Sequence, residues 1–248
     1  MSEVAIKVNN LSKSYANQKV LHDVTFEIYK SEIICIAGGS GCGKSTLMKQ
    51  IIGLEEPDQG NIYYGSEQFF PASEKQKRKL INKIGVMFQM GGLFASLSVG
   101  ENIALPLQTF TSMNEVQIEE IIKMKLCSVG LQGYENYYPS ELSGGMKKRA
   151  SLARAMALDP DFLFFDEPSS GLDPVTAASL DNLIREINAA LKTTMIIVTH
   201  DLASIMEIAD RVILLDKSIQ GIYAIGKPSD LQNSEDIIIS NFFNREFD

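Results

Sequence analysis

The sequence predicts an α/β protein in which a core sheet is organised around a phosphate-binding loop, with an antiparallel β portion near the start and a helical insertion. Three observations predict it. The first is GGSGCGKST over residues 38–46, which fits G-x-x-x-x-G-K-[ST] with Gly38, Gly43, Lys44 and Ser45 at the fixed places. An apolar β-like run (33–37) precedes it and a helical pattern (47–52) follows, so a bound phosphate would also sit on a helix N-terminus. The second is a set of short all-apolar runs, such as 162–165 and 195–199, which read as strands buried on both faces. The third is alternation of apolar and polar residues over 4–8 and 20–28, as half-buried strands require.

In chain order, residues 4–8 form the first strand, and Val20, Leu21, Val24, Phe26 and Ile28 mark the second. The polar stretch 13–18 between them, which includes Asn17, reads as a turn. It carries a lone aromatic, Tyr15, for which stacking on a base and simple edge packing are evenly matched. After the first helix, EEPDQG (55–60) is a turn and 61–64 a short strand. Ser73 caps a charged surface helix that runs to residue 81. A buried strand over 84–88 ends in Gln89, and MGGLF (90–94) is a flexible apolar loop. Segments 101–107 and 114–129 are helix-patterned and form the insertion. The second has an apolar face of Val116, Ile118, Ile121, Ile122, Met124 and Leu126. Beyond the strand at 162–165 come a helix (175–191), a strand (195–199), a short helix (202–209), strands 211–215 and 220–224, and a last helix from Pro228. The end, IIISNFF (237–243), is apolar enough to need a docking surface, on this chain or on a second copy.

The residue types in the motifs carry chemistry. Gly38, Gly41 and Gly43 admit backbone conformations that side chains forbid, so successive N–H groups can form a concave nest for phosphate oxygens. Lys44 adds a charge that reaches the β- and γ-phosphates, and the Ser45 hydroxyl is placed to ligate Mg²⁺. Asp166 and Glu167 end the buried run FLFFDE; one can support Mg²⁺ through water while the other polarises an attacking water. LSGGMKKR (142–149) places Ser143 as a helix N-cap, with Gly144 and Gly145 exposing backbone N–H groups as a second anion site.

Length and composition bound the function. With 248 residues, 45% hydrophobic and 22% charged, the chain can bury an ample core. A net charge of −8 argues against a protein whose main task is gripping nucleic acid. Cys35, Cys42 and Cys127 have no paired spacing and read as reduced thiols, with Cys35 and Cys127 as packing residues. Cys42 lies inside the phosphate loop, so its alkylation is expected to hinder nucleotide binding. MSEVAIKVNN lacks the basic start and apolar stretch of a signal peptide, and no run approaches the ~20 apolar residues of a membrane span. A soluble chain is expected, with any membrane role coming through a partner.

The phosphate loop, Gln89, LSGGM, FLFFDEP, Ser170-Gly171-Leu172-Asp173 and His200 occur in the order of an ABC transporter ATP-binding subunit, which the chain resembles from about Val4 to Leu231. The resemblance implies a P-loop NTPase of the ABC type with a RecA-like core sheet. It places a nucleotide-binding domain over 1–234, a helical subdomain at 93–158 within it, and a C-terminal tail over 235–248. Its implied cofactors are ATP and Mg²⁺. Tyr15 is similar to the aromatic that stacks on adenine, and Gly38, Ser40, Gly41, Cys42, Gly43, Lys44, Ser45 and Thr46 to the residues that bind the phosphates. Ser45, Gln89 and Asp166 resemble the Mg²⁺ set. Glu167 resembles the general base and His200 the histidine that contacts the γ-phosphate; Lys44 and Gln89 complete the implied catalytic group. His22 reads as a surface residue. Ser143, Gly144 and Gly145 are implied to bind ATP held by a second copy, and Asp173 to bridge the copies. Two subunits then face head to tail around two ATP molecules, and closing and opening drive a membrane permease.

Met146 stands where most members have glutamine. With FQMGGLF (88–94), VGENIALPL (99–107) and FFNR (242–245), it makes the chain similar to the ATPase subunits of MCE-associated, Mla-like bacterial lipid transporters that maintain outer-membrane lipid asymmetry. That likeness implies phospholipid as cargo, an integral membrane permease, an MCE-domain protein and other accessory subunits as partners, no nucleic acid, and a place on the cytoplasmic face of the bacterial inner membrane. Leu93 and Phe94 would suit a groove for a permease coupling helix, or the apolar loop packs internally. Other readings stay open: an amino acid, metal or lipoprotein cargo, an ATPase acting on DNA or ribosomes, or a regulator of cell-wall enzymes.

Overall fold

The computed structural model describes residues 3–16 and 18–244. Its strands are β1 (Val4–Tyr15), β2 (Gln18–Tyr29), β3 (Ile33–Gly38), β4 (Gln59–Tyr64), β5 (Glu67–Phe70), β6 (Ile84–Met87), β7 (Phe162–Asp166), β8 (Thr194–Val198), β9 (Arg211–Asp216) and β10 (Gly221–Gly226). Its helices are α1 (Lys44–Ile51), α2 (Glu74–Ile81), α3 (Val99–Phe110), α4 (Glu115–Ser128), α5 (Gly144–Ala155), α6 (Pro174–Leu191), α7 (Leu202–Ile208), α8 (Pro228–Gln232) and α9 (Ile237–Asn244). One sheet is antiparallel, in the order β2-β1-β4-β5; the other runs β10-β9-β3-β8-β7-β6, parallel except for β10.

The all-apolar strands serve two cores at once. Side chains alternate across a sheet, so Cys35, Leu163, Phe165, Met195, Ile197, Val212 and Leu214 pack on one side with α3, α4, α5 and α6. Ile34, Ile36, Phe162, Phe164, Ile196, Val198, Ile213 and Leu215 pack on the other, with α1 and the antiparallel sheet. Neither face meets water, which is why these runs carry no polar alternation.

The structure departs from the sequence reading in several places. β1 continues to Tyr15 instead of stopping at residue 8. Asn10 has a left-handed φ of 50°, and the register with β2 shifts between Val8 and Leu11. That bulge moves the next buried position from the expected residue 10 to Leu11, so the alternation breaks while the ladder continues. Lys13, Ser14 and Tyr15 therefore pair with β2, where a turn was expected. Asn17 lies outside the described residues, as do Met1, Ser2 and the Arg245 of FFNR. β5 was not read from the sequence at all. On α4 the buried stripe is Ile118, Ile122 and Leu126, spaced four apart. Val116 and Met124 are exposed (70% and 56%), because they fall off that stripe. Cys127 is exposed as well, not packed. The last helix is α9, not the one from Pro228. Asp236 caps α9, Ile239 and Phe243 sink into the core one turn apart, and Ile237 stays 74% exposed.

Candidate active site

Four sequence motifs meet at one rim of the parallel sheet. Gly38 ends β3, Gln89 follows β6, Asp166 ends β7 and His200 follows β8, and the order β3-β8-β7-β6 brings these strand ends side by side. A cleft of about 940 Å³ lies there. Gly38, Ser40, Gly41, Lys44, Ser45, Gln89, Asp166, Glu167 and His200 line it, and Phe242 of α9 reaches its edge.

The loop's glycines are set by close approach. A Cβ at Gly38 (φ 142°) would lie 2.3 Å from the Leu215 carbonyl oxygen, and one at Gly43 (φ 101°) would lie 2.8 Å from Leu21 Cδ2. Gly43 also opens α1 without a side-chain cap and with no acid in the first turn. Helices α2 to α7 each have a side-chain cap. The amides at the start of α1 thus fit an anion, as the nest reading requires. Lys44 curls over the loop, its Nζ donating to the carbonyls of Gly38 (2.8 Å) and Gly39 (2.9 Å). Cys42 turns its side chain into the core: it is 2% exposed, and burial pushes its thiol up.

Opposite the loop, burial and then the neighbouring Glu167 push the Asp166 carboxyl up, against the pull of Lys49, Lys44 and Lys148. Glu167 is a non-glycine residue at φ 49°, held by its N–H donating to the Val198 carbonyl (2.8 Å). Such a conformation costs on the order of 1–2 kcal/mol and is held by its surroundings. His200 Nδ1 and Glu167 Oε1 are 2.8 Å apart. A carboxylate only accepts, so Nδ1–H is the donor. Gln89 Nε2 lies 3.5 Å from Ser170 Oγ. The oxygen donors Ser45, Gln89 and Asp166 suit a hard cation such as Mg²⁺, which keeps water and phosphate oxygens in its shell. Among the described residues, no three His, Cys, Asp or Glu side chains converge as a metal cage.

Other sequence-selected residues stand apart from the cleft. Ser143 caps α5, accepting from Met146 N–H (3.3 Å); it and Gly144 are exposed and do not line the cleft. Asp173 caps α6, accepting from the N–H groups of Val175 (3.1 Å) and Thr176 (3.0 Å). The Thr176 hydroxyl bond is the largest of the effects holding that carboxyl below its usual range. Tyr15 is 44% exposed, and its hydroxyl donates to Glu55 Oε2 (2.6 Å). His22 is exposed.

Three residues were missed. Lys148 Nζ donates to the carbonyl oxygens of Gln89 (2.7 Å) and Glu167 (3.4 Å). Arg154 Nη1 donates to the Gly92 carbonyl, and its guanidinium sits 4.9 Å from the Phe94 ring centroid. Ser151 Oγ lies against Gly91, where a Cβ would approach it to 2.7 Å. Their spacing of three along a helix was the available signal; their partners, 59 and 62 residues away, leave no trace in a local pattern.

A phosphate loop at the C-terminal rim of a parallel sheet, facing paired carboxylates two strands away, defines a P-loop nucleotide-binding protein. Residues 21–170 match the family model described as ABC transporter, and the chain belongs to that family. Its class is that of the ATP-hydrolysing subunits, which use ATP with Mg²⁺. It is 37% identical over all 248 residues to the intermembrane phospholipid transport system ATP-binding protein MlaF of Haemophilus influenzae, covering 93% of that protein. It is 39% identical over 241 residues to the probable ribonucleotide transport ATP-binding protein mkl of Mycobacterium tuberculosis, covering 97% of this chain and 67% of that one. Among solved structures, it matches a dimeric ATP-binding cassette, MJ0796, bound to ADP and phosphate, with a TM-score of 0.81 and 28% identity over 90% of this chain and 98% of that one. CbiO1 of Clostridium perfringens matches with a TM-score of 0.86 and 27% identity over 96% of this chain and 94% of that one.

Proposed function

We propose that this chain is the ATP-binding and hydrolysing subunit of a bacterial phospholipid transporter, working as a head-to-tail dimer beneath an integral membrane permease. The observation that carries the ATPase part is the convergence of Lys44, Ser45, Gln89, Asp166, Glu167 and His200 on one cleft. Coverage favours the cargo: the chain spans 93% and 87% of two MlaF proteins but 67% and 69% of two mkl proteins. The position of Ser143 and Gly144 outside the cleft favours a second copy, because one chain's signature turn is not part of its own loop's surroundings.

In this reading Lys44 and the α1 amides hold the phosphates of ATP, with Ser40, Gly41, Cys42, Gly43 and Thr46 contributing to the loop and Tyr15 packing on the adenine. Ser45, Gln89 and Asp166 hold Mg²⁺, which, when bound, neutralises charge on the phosphate oxygens. Glu167 takes the proton of the attacking water, and His200 fixes that carboxylate through its Nδ1–H. Ser143, Gly144 and Gly145 meet the second copy's nucleotide, and Asp173 lies between the copies. Residues 1–234 form the nucleotide-binding domain, with 93–158 as its helical part and 235–248 as a tail.

A permease is suited by a groove of about 360 Å³ beside Gln89, lined by Ile84, Val86, Phe88, Phe94, Leu105 and Pro106. Among the described residues no helix is long and apolar enough to cross a membrane, so attachment to the cytoplasmic face of the inner membrane comes through that partner. An MCE-domain protein completes the assembly, and no nucleic acid is involved.

The test is purification of the tagged chain from native membranes in mild detergent. A multi-span permease, an MCE-domain protein and phospholipid are expected together. A different permease with its own binding protein removes the lipid cargo, and ribosomes or DNA in their place remove transport.

A further inference from the structure

We propose that Lys148 is a positioning residue that holds Gln89 and Glu167 in register with the helix whose N-terminus meets the second copy. The inference rests on the roles given above to Gln89 and Glu167.

Lys148 is 8% exposed. A buried ammonium is costly unless its donors are satisfied. Here they go to two main-chain carbonyls on separate segments: Gln89 (2.7 Å), beyond β6, and Glu167 (3.4 Å), beyond β7. Burial pushes the Lys148 pKa down, while the charges of Glu167 and Asp166 pull it back up. The side chain therefore bridges the segments that carry the Mg²⁺-contacting amide and the base. Because it bonds their backbones, it fixes where both side chains start, without occupying the cleft itself.

The same face of α5 repeats the grip at the spacing of one helical turn. Ser151, whose hydroxyl donates to the Lys147 carbonyl, packs close against Gly91, and Arg154 holds the Gly92 carbonyl and stacks on Phe94. Residues 89–94 are thus fastened to α5 along their length. Ser143, the cap of α5, is five positions before Lys148, about 7.5 Å along the helix axis. A shift of the α5 N-terminus on meeting the other copy's nucleotide reaches Gln89 and Glu167 together through this ammonium, which bonds both segments. The chemistry favours an amine at this place: it offers three donors from a single point, and methionine of similar length offers none.

The experiment is steady-state ATP hydrolysis by the full chain, with its membrane partners where turnover requires them, for wild type, Lys148→Met, Lys148→Arg and Glu167→Gln. Lys148→Met is expected to lower kcat about tenfold or more with KM for ATP held within about twofold, because a charged hydrogen bond is lost but no ATP contact is. Lys148→Arg, which keeps donors, is expected to restore most of kcat. Since the chain has no tryptophan, Met90→Trp at the 94% exposed neighbour of Gln89 gives a single tryptophan, excited selectively at the red edge beyond tyrosine absorption. Its emission is expected to respond to MgATP with Lys148 present and not with Lys148→Met. A merely structural loss would move KM and melting temperature together and leave Arg no better than Met, and that pattern overturns the proposal. So does an unchanged kcat in Lys148→Met. If Lys148→Met does not fold, Lys148→Gln decides on the same split of kcat against KM. Normal turnover in Glu167→Gln would instead remove the underlying base assignment, whatever Lys148 does.

Discussion

Asp181 offers a pH test of how the core was built. It sits on α6 at 3% exposure, with Oδ2 accepting from the Ser204 hydroxyl of α7 (2.6 Å). Among the described residues Oδ1 has no partner. Asp201 and Glu207 at α7 add negative charge, and the Cys35 thiol of β3 lies within its field. Burial outweighs the Ser204 bond and raises the carboxyl from 3.8 to about 6. At 1.36 kcal/mol per pH unit, the difference corresponds to roughly 3 kcal/mol. The folded chain binds this proton more tightly than the unfolded one. The residue therefore leaves stability intact below the unfolded value of 3.8, erodes it as pH rises from there to about 6, and exacts its full cost above. Asp181→Asn keeps the shape and an acceptor for Ser204 while removing the charge. Urea unfolding at pH 4.5, 5.5, 6.5 and 7.5 is the assay, each pH about one unit from the next. The variant's stability relative to wild type should climb with pH and level off above about pH 6, by up to roughly 3 kcal/mol. A stability difference that stays flat with pH would refute the reasoning.

Two further outcomes are expected. Tyr15→Ala should raise KM for ATP about fivefold and spare kcat, since an aromatic stack contributes on the order of 1 kcal/mol and takes no part in the chemistry; an unchanged KM removes Tyr15 from the site. Under native conditions a thiol reagent such as DTNB should find one fast cysteine, Cys127, while Cys35 and Cys42 react slowly because burial shields them and pushes both thiols up. Rapid loss of Cys42 with Cys127 intact would contradict the buried loop base.

The parts of this molecule that follow local rules were legible in its sequence. Strand 162–165 could be read because burial on both faces leaves no polar alternation, and Glu167 because it follows that run, whereas the roles of Gln89 and His200 came only with the family resemblance. α2 was legible from Ser73, whose capping box with Gln76 is made. Features set by distant partners were not. The bulge at Asn10 is tied to β2, where Asn10 Nδ2 donates to Asp23 Oδ1 (2.6 Å), and no pattern around residue 10 announces it. Val116 and Met124 look like the apolar neighbours they resemble until the direction of α4 relative to α3 and α5 is known. Lys148 reads as one charge in a basic run because its acceptors are main-chain carbonyls, which carry no sequence signature.

The most direct test of the central claim is the oligomeric state of Glu167→Gln in sedimentation with and without MgATP. A dimer holding one ATP per chain, formed only with MgATP and dispersed by EDTA, is the expected result. A chain that stays monomeric at saturating MgATP while hydrolysing it at the wild-type rate would contradict both the base and the ATP-sandwich dimer.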